Sequence, residues 1–420
     1  MASVSVIVCN WKRREALGPC LRGLRGQTVS GFEIIVVSDR PHPETGIEKC
    51  ARWIPFDEAN VAAARNAGME RARGEILAFI DDDSVAEPGW LNAILGGIGR
   101  RAAATGPVIG PDGLNRQWGL AFVGPDGEDR PAPSGETIAP KLNGTNMAIR
   151  RDALQAVGGF DEGFAYYLDD ADMALRLYRQ GLDVAWVEDA KVIHGYARSP
   201  LRTARRVPRS LLPFGRSRAL FLQRTGHDDP STANARFRAY WNSRLRDLHR
   251  LGLISRKDWD SRLAELEQGL SDPAQSRIPA IAEAAGDDLE PVRAAPRPGA
   301  VVLSRPFSRR KATRDARILA ARGYLVTLVS LHHGLARQSV LLDEDGLWHH
   351  RGGTRAGNAA HRAWTLTEAN QVALAAAAAR ARPDLVLHYS RSGARMVEKY
   401  RDGLQLFAPL HVREQAIPTE

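Results

Sequence analysis

The stretch Glu75-Ile-Leu-Ala-Phe-Ile-Asp81-Asp82-Asp83-Ser-Val-Ala-Glu-Pro88 decides how the rest of the chain is read. An apolar run of strand length, residues 76–80, ends in three adjacent carboxylates, and a helix-like segment follows Pro88. Acids at the C-terminal end of a buried strand sit where open α/β sheets bind ligands. Three neighbouring carboxylates repel one another unless something positive joins them. A divalent cation is the natural candidate, because hard cations take oxygen ligands and bridge to substrate phosphates. Asp81 and Asp83 are two apart, so on an extended strand end they point the same way and can share one ion. The competing reading is a solvated acidic turn, and the flanking sequence has to decide between them.

Upstream, residues 3–8 read as a buried strand, and Cys9-Asn-Trp-Lys-Arg13 as the loop after it. Residues 15–24 carry helical apolar spacing, with Leu17, Leu21 and Leu24 on one face. A second strand at 32–37 is followed by Ser38-Asp39-Arg40-Pro41. An alanine-rich helix, 60–73, closes at Gly74 and feeds the acidic strand. Strand and helix alternate through the first 90 residues, the mark of a parallel, doubly wound sheet. Residues 102–142 read as an irregular, hairpin-rich region covering a site, with strands at 105–109 and 119–123. Then Leu142-Asn-Gly-Thr-Asn146-Met-Ala-Ile-Arg150 opens a strand and a helix, and Gly158-Gly-Phe-Asp-Glu-Gly163 is a turn. Beyond it, Asp169, Asp170 and Asp172 open an amphipathic helix. Acids suit a helix N-terminus, but this many at one start exceed what capping needs. Strands at 184–187 and 191–194 follow, the second ending in His194.

At 420 residues the chain is longer than one domain usually runs, so two domains are expected. No apolar run is long enough to span a membrane. The N-terminus enters a strand pattern with no signal peptide, and Cys9, Cys20 and Cys50 show no metal spacing. Both features point to a reducing, cytoplasmic setting. The net charge is +9, and residues 195–227 contain eight arginines with no lysine and no acid, which accounts for nearly all of the excess. Such a stretch attracts phosphate or an anionic membrane, placing the protein peripherally at the inner membrane face. Nucleic acid is the weakest partner, since no recognition motif and few stacking aromatics accompany the arginines.

Taken in order, these motifs resemble a family 2 glycosyltransferase of the GT-A fold over about residues 3–225. The pieces are Val-Ser-Val-Ile-Val-Cys9-Asn10-Trp-Lys-Arg, Ile-Ile-Val-Val-Ser-Asp39, Ala-Arg65-Asn66-x-Gly68, Asp81-x-Asp83, Gly-Thr-Asn146-Met-Ala-Ile-Arg-Arg, Gly-Gly-Phe-Asp-Glu, the Asp169-Asp170 helix start and His194. The resemblance implies an α/β, nucleotide-sugar-binding sandwich with a mainly parallel sheet, and an inverting transferase. It also implies roles. Cys9, Asn10, Asp39, Arg65, Asp81, Asp82 and Asn146 would border a UDP- or dTDP-type sugar donor. Asp83 and Asp81, with His194, would hold Mg2+ or Mn2+ on the diphosphate. Asp170 would be the general base. The acceptor would be a glycan or a lipid-linked sugar in polysaccharide or glycoconjugate synthesis. The chemistry asks for the same residue types: one base for the acceptor hydroxyl and one cation for the departing diphosphate. The loops at 9–12 and 38–41 differ from the family's usual Pro-Thr-Tyr-Asn and Asp-Asp-Gly-Ser, so the base and the sugar stay open.

The expected division is 1–227 for the transferase domain, 228–298 for a helical segment and linker, and 299–420 for a smaller Rossmann-like domain. Strands at 300–304, 324–330 and 383–389 make that last part resemble the N-terminal half of a GT-B family 4 glycosyltransferase. His332, His333, His349 and His350 read as surface or loop histidines rather than a metal site. Two other classes compete. One is a catalytically weak binding or scaffold protein of a glycan-assembly complex. The other is a sugar nucleotidyltransferase, ranked last because residues 9–13 lack the glycine that its phosphate loop needs.

Overall fold

The computed structural model describes residues 3–40, 51–131, 139–195, 197–203, 205–283, 291–292, 297–304, 308–331, 338–352, 366–381, 383–388 and 411–413. Cys50, His332, His333, Tyr389 and most of the expected 284–299 linker lie outside these residues.

The central strand, Val4–Asn10, pairs in parallel with Phe32–Ser38 on one side and Ile76–Asp81 on the other. The register sets Cys9 level with Val37 and Asp81, and Asn10 level with Ser38. Three strands therefore end together, which opens the crevice where such sheets bind ligands. Arg52–Pro55 extends the sheet beyond Phe32–Ser38 in parallel. On the far side, Asn146–Arg150 runs antiparallel between Ile76–Asp81 and Ala103–Thr105, and Val184–Trp186 closes that edge. The expected α/β architecture with a mainly parallel sheet is what the chain forms, with one antiparallel strand inserted.

Both faces of this sheet are covered, so its strands are apolar throughout rather than alternating. Val4, Val6 and Val8 face helices Arg14–Arg25 and Trp90–Ile98 through Leu17, Leu21, Trp90 and Ile94. Ile7 faces the opposite way, into a core with Met69, Met173 and Leu177 from helices Val61–Arg71 and Asp169–Arg179. Gly68 makes the first of those helices fit, because a Cβ there would stand 2.6 Å from Ile7 Cγ2.

Residues 102–142 form shorter strands than expected. The run at 105–109 is split into Ala103–Thr105 and Val108–Ile109. Pro107 lies in the break and has no N–H for a ladder. Its carbonyl instead accepts the Asn146 amide at 3.0 Å. Val108–Ile109 joins a second sheet, in the order Ser84–Ala86, Val192–His194, Val108–Ile109, Arg116–Trp118. A small third sheet joins Asp129–Arg130, Phe122–Val123 and Ala139–Pro140.

Helices Leu212–Thr225, Pro230–Arg250 and Arg256–Ser271 share an apolar cluster containing Leu211, Phe237, Trp241, Leu245 and Leu266. Much of the arginine stretch is spent internally. Arg218 is fully buried and donates to the carbonyls of Asp126 and Ala233. Arg224 pairs with Asp161 and Asp172, each at 2.9 Å, and Arg216 with Asp272 at 2.5 Å. Arg198, Arg205, Arg206 and Arg209 are exposed. No helix among the described residues is long and apolar enough to cross a membrane.

A six-stranded sheet follows, in the order Ser339–Leu342, Trp348–Arg351, Leu325–Ser330, Gly299–Ser304, Pro383–His388, His411–Arg413. All its pairings are parallel except that of the edge strand Ser339–Leu342. His349 and His350 lie on a strand of this sheet, not in a loop. His349 Nε2 is 2.7 Å from Asp343 Oδ2, while His350 is fully buried with Nε2 3.2 Å from Gln338 Oε1.

Candidate active site

The crevice at the strand ends widens into a cavity of about 710 Å³. Cys9, Asn10, Arg65, Asp81, Asp170 and His194 all line it. Asp81, Asp83 and His194 each turn one ligand atom toward a common point, all within 4.8 Å of one another. Asp81 and Asp83 thus converge as expected, though not by strand alternation: the strand ends at Asp81 and residues 82–83 form a turn. His194 arrives from the second sheet, where it stands opposite Ser84.

The donor set fits a divalent cation: two carboxylate oxygens and one imidazole nitrogen. His194 Nδ1 is 2.7 Å from Gln117 Oε1, which orients the ring, and Nε2 stands 3.2 Å from Asp83 Oδ1. The Trp118 ring stacks on the imidazole at 5.7 Å and fixes its plane. Thr145 Oγ1 donates to Asp81 Oδ2 at 2.5 Å. Asp83 Oδ2 is held by the Ala197 N–H at 2.9 Å and by Arg13 at 3.0 Å, with Arg202 at 3.5 Å. Burial alone would push the Asp83 carboxyl up; His194, Arg13 and Arg202 outweigh it and hold the carboxyl well below the usual range.

Asp82 turns inward. It is fully buried, accepting from Asn10 Nδ2 at 2.6 Å and pairing with Arg13 Nη2 at 2.5 Å. Burial raises its pKa despite that arginine. Asn146 is fully buried as well: its amide accepts from Trp90 Nε1 at 2.8 Å and donates to the Pro107 and Ala190 carbonyls. Asp82 and Asn146, expected to border the donor, thus face protein, and neither lines the cavity. Asp39 also lies outside the cavity lining. Its Oδ1 accepts the Lys12 N–H at 3.1 Å, where Lys12 has a φ of +53°. That bond holds the loop after the first strand in the left-handed region that non-glycine residues rarely adopt.

The acid pair at 169–170 is built by strain and by a close approach. Leu168, just before the helix, has a φ of +68°, and its side chain is locked into the core. A non-glycine residue there costs on the order of 1 kcal/mol, offset by that packing. The turn sends Asp169 to Arg65, with which it forms a buried ion pair. Burial pushes the Asp169 carboxyl up to about 6, Arg65 opposing and Asp170 adding to the rise. Asp172 is structural, pairing with Arg176 at 2.8 Å and Arg224 at 2.9 Å. Asp170 faces the cavity and accepts the Gly144 N–H at 3.0 Å. Among the described residues no ion pair to a lysine or arginine claims it, so its oxygens stay open to the cavity.

Gly144 is a packing requirement. A Cβ would stand 2.8 Å from Arg65 Nη2 and 3.5 Å from Asp170 Oδ2. Arg65 Nη2 also donates to the Gly144 carbonyl at 3.2 Å and lies 3.7 Å from Asp81 Oδ1. Arg65 thus links the two acidic centres. Burial works against its charge, and Asp169 and Asp81 more than restore it. The Cys9 thiol, pushed up to about 12 by burial, is inert as a nucleophile. Arg13, Thr145 and Arg202 were not foreseen in these roles. Arg13 stood in the loop after the first strand with no partner legible, and Arg202 was one arginine among eight.

Residues 5–158 match the family model of Glycosyl transferase family 2, and that stretch is a family 2 glycosyltransferase domain. The chain is 27% identical to glucosyl-dolichyl phosphate glucuronosyltransferase of Haloferax volcanii over 46% of its own length and 68% of that protein. It is 34% identical to N-acetylglucosaminyl-diphospho-decaprenol L-rhamnosyltransferase of Mycobacterium tuberculosis over 27% of its length and 44% of that protein. Among solved structures, residues 1–349 of TarS from S. aureus, in complex with UDP, align at 17% identity and a TM-score of 0.39, covering 53% of this chain and 65% of that one. The alignments with the M. tuberculosis and S. aureus proteins thus span less than two thirds of either.

Proposed function

We propose that this chain transfers a sugar from a nucleotide-sugar to a glycan or lipid-linked acceptor, with inversion. The observation that carries this reading is that Asp81 and His194, which converge with Asp83 on one point, line the same cavity as Asp170. The acceptor hydroxyl oxygen attacks the anomeric carbon as the bond to the diphosphate oxygen breaks. The diphosphate leaves with the electron pair, and Asp170 takes the hydroxyl proton. Asp81, Asp83 and His194 would hold Mg2+ or Mn2+, which when bound offsets the charge on the leaving diphosphate. Arg13 and Arg202 place two further positive charges beside Asp83. A hydrolase's acid and nucleophile pair is not needed.

The catalytic unit, on this reading, runs past residue 227. Helix Pro230–Arg250 contributes Phe237 and Trp241 to the cavity, so the helices to residue 271 belong with it. The segment from 299 is an accessory unit. Exposed Arg198, Arg205, Arg206 and Arg209 are the residues to bring the cavity to an anionic surface carrying a lipid-linked acceptor, from the cytoplasmic side. Thermal shift with UDP, GDP and dTDP, with and without Mn2+, tests the core of the reading. A nucleotide shift that requires Mn2+ is expected; no shift with any nucleotide overturns it.

A further inference from the structure

One wall of the cavity comes from residues outside the family match. Phe237 and Trp241, one turn apart on helix Pro230–Arg250, line it with their neighbour Tyr240, and Tyr166 and Phe214 continue the surface. The rings touch in sequence: Tyr166 to Phe214 at 5.2 Å, Phe214 to Trp241 at 4.8 Å, Trp241 to Tyr240 at 5.4 Å.

Core packing does not account for two features of this wall. Tyr240 is 60% exposed, an unusual place for a large ring. Trp241 is only 8% exposed, yet its indole Nε1 is buried with no hydrogen-bond partner. A buried tryptophan N–H normally finds an acceptor, and leaving it unmet costs stability. The site therefore calls for a ligand with an apolar face for the rings and an oxygen for the indole. A pyranose has both, a face of C–H groups and a rim of hydroxyls. A polyprenyl chain has the apolar surface and no oxygen.

We propose that this aromatic wall is the acceptor subsite and that it binds a pyranose ring, with a ring hydroxyl accepting from Trp241 Nε1. The acceptor then presents a sugar hydroxyl to Asp170, which lines the same cavity, rather than a bare lipid phosphate. This inference rests on the glycosyltransferase reading above.

The test is saturation-transfer NMR on the full chain with methyl glucoside, methyl mannoside, methyl rhamnoside and methyl N-acetylglucosaminide, and with farnesyl phosphate for comparison. At least one glycoside should bind. Trp241→Phe, which keeps the ring and removes the donor, should weaken it about tenfold, the worth of one hydrogen bond. Tyr240→Ala, a substitution at an exposed position, should weaken it as well, while UDP binding with Mn2+ stays unchanged in both variants. No glycoside binding, binding of farnesyl phosphate alone, or glycoside binding indifferent to both substitutions overturns the subsite. Glycoside binding that responds to Trp241→Phe in a chain that binds no nucleotide would leave a sugar site standing and remove the transferase reading instead.

Discussion

Ile193 and His194 are consecutive residues of one short strand and serve two different interiors. Ile193 packs with Val340, Leu342 and Trp348 of the six-stranded sheet, while His194 Nε2 stands 3.2 Å from Asp83 Oδ1. The contact is reinforced by the Val340 N–H, which donates to the Pro111 carbonyl at 3.0 Å, and by Arg380, which pairs with Glu87 at 3.0 Å. The second unit therefore braces the strand that presents the histidine. Val340→Asp, which buries an unpaired carboxylate in this contact, should destabilise by several kcal/mol and weaken Mn2+-dependent UDP binding. A lowered Tm with UDP affinity intact would make the contact structural only.

Asp170→Asn should leave UDP affinity within about twofold and reduce turnover by roughly 10²- to 10⁴-fold, the usual share of a positioned base. The two are read separately, by calorimetry and by released nucleotide. Turnover near that of the unsubstituted chain would remove Asp170 as the base.

The neighbours Asp82 and Asp83 should fail in different ways. Asp83→Ala should abolish the Mn2+-dependent part of UDP binding and, because Asp83 is buried beside Arg13 and Arg202, should lower stability as well. Asp82→Ala leaves Arg13 without its shortest partner at a fully buried position and should cost about 3 kcal/mol. Denaturant titration of both variants, beside UDP binding with and without EDTA, separates metal holding from loop anchoring.

Gly144→Ala adds a methyl 2.8 Å from Arg65 Nη2. Overpacking of this kind costs about 1–3 kcal/mol. The displaced Arg65 and Asp170 should cost turnover more than it costs UDP affinity, which a kcat against KM comparison would show.

His350 supplies a pH signature away from the site. Burial, with Arg380 assisting, lowers its pKa from 6.5 to about 3. Between these values the unfolded chain binds a proton that the folded chain refuses. Stability from this group is therefore present above pH 6.5 and lost as pH falls toward 3, by up to about 1.4 kcal/mol per pH unit. His350→Gln should flatten the acid limb of a Tm against pH curve; an unchanged slope would assign that limb to carboxylates.

Much of the first unit was legible because its signals are local. Apolar strands alternate with helices, Gly68 follows Arg65 and Asn66, and Asp81-x-Asp83 ends a strand. Each follows from a period or a spacing within a few residues. The motifs also answer one another: Asn66 accepts the Phe160 N–H at 2.9 Å and donates to the Phe160 carbonyl at 2.8 Å, locking the Gly-Gly-Phe-Asp-Glu turn to the helix before the acidic strand. The short strands around Pro107 were less legible, because their pairing partners lie as far away as residue 193.

By itself, then, the sequence determined the sheet, the order of its elements and the residue types at its strand ends, since backbone period and apolar pattern act over short range. Tertiary structure decided which acids face the cavity. Asp82 was turned away by Asn10 and Arg13, Asp169 was claimed by Arg65, and Asp170 was left open. It also decided what the arginines do. Whether a guanidinium meets solvent or an acid depends on residues brought from far along the chain, as Arg202 is to Asp83 and Arg224 to Asp161. Charge is a property of composition; its pairing is a property of the fold.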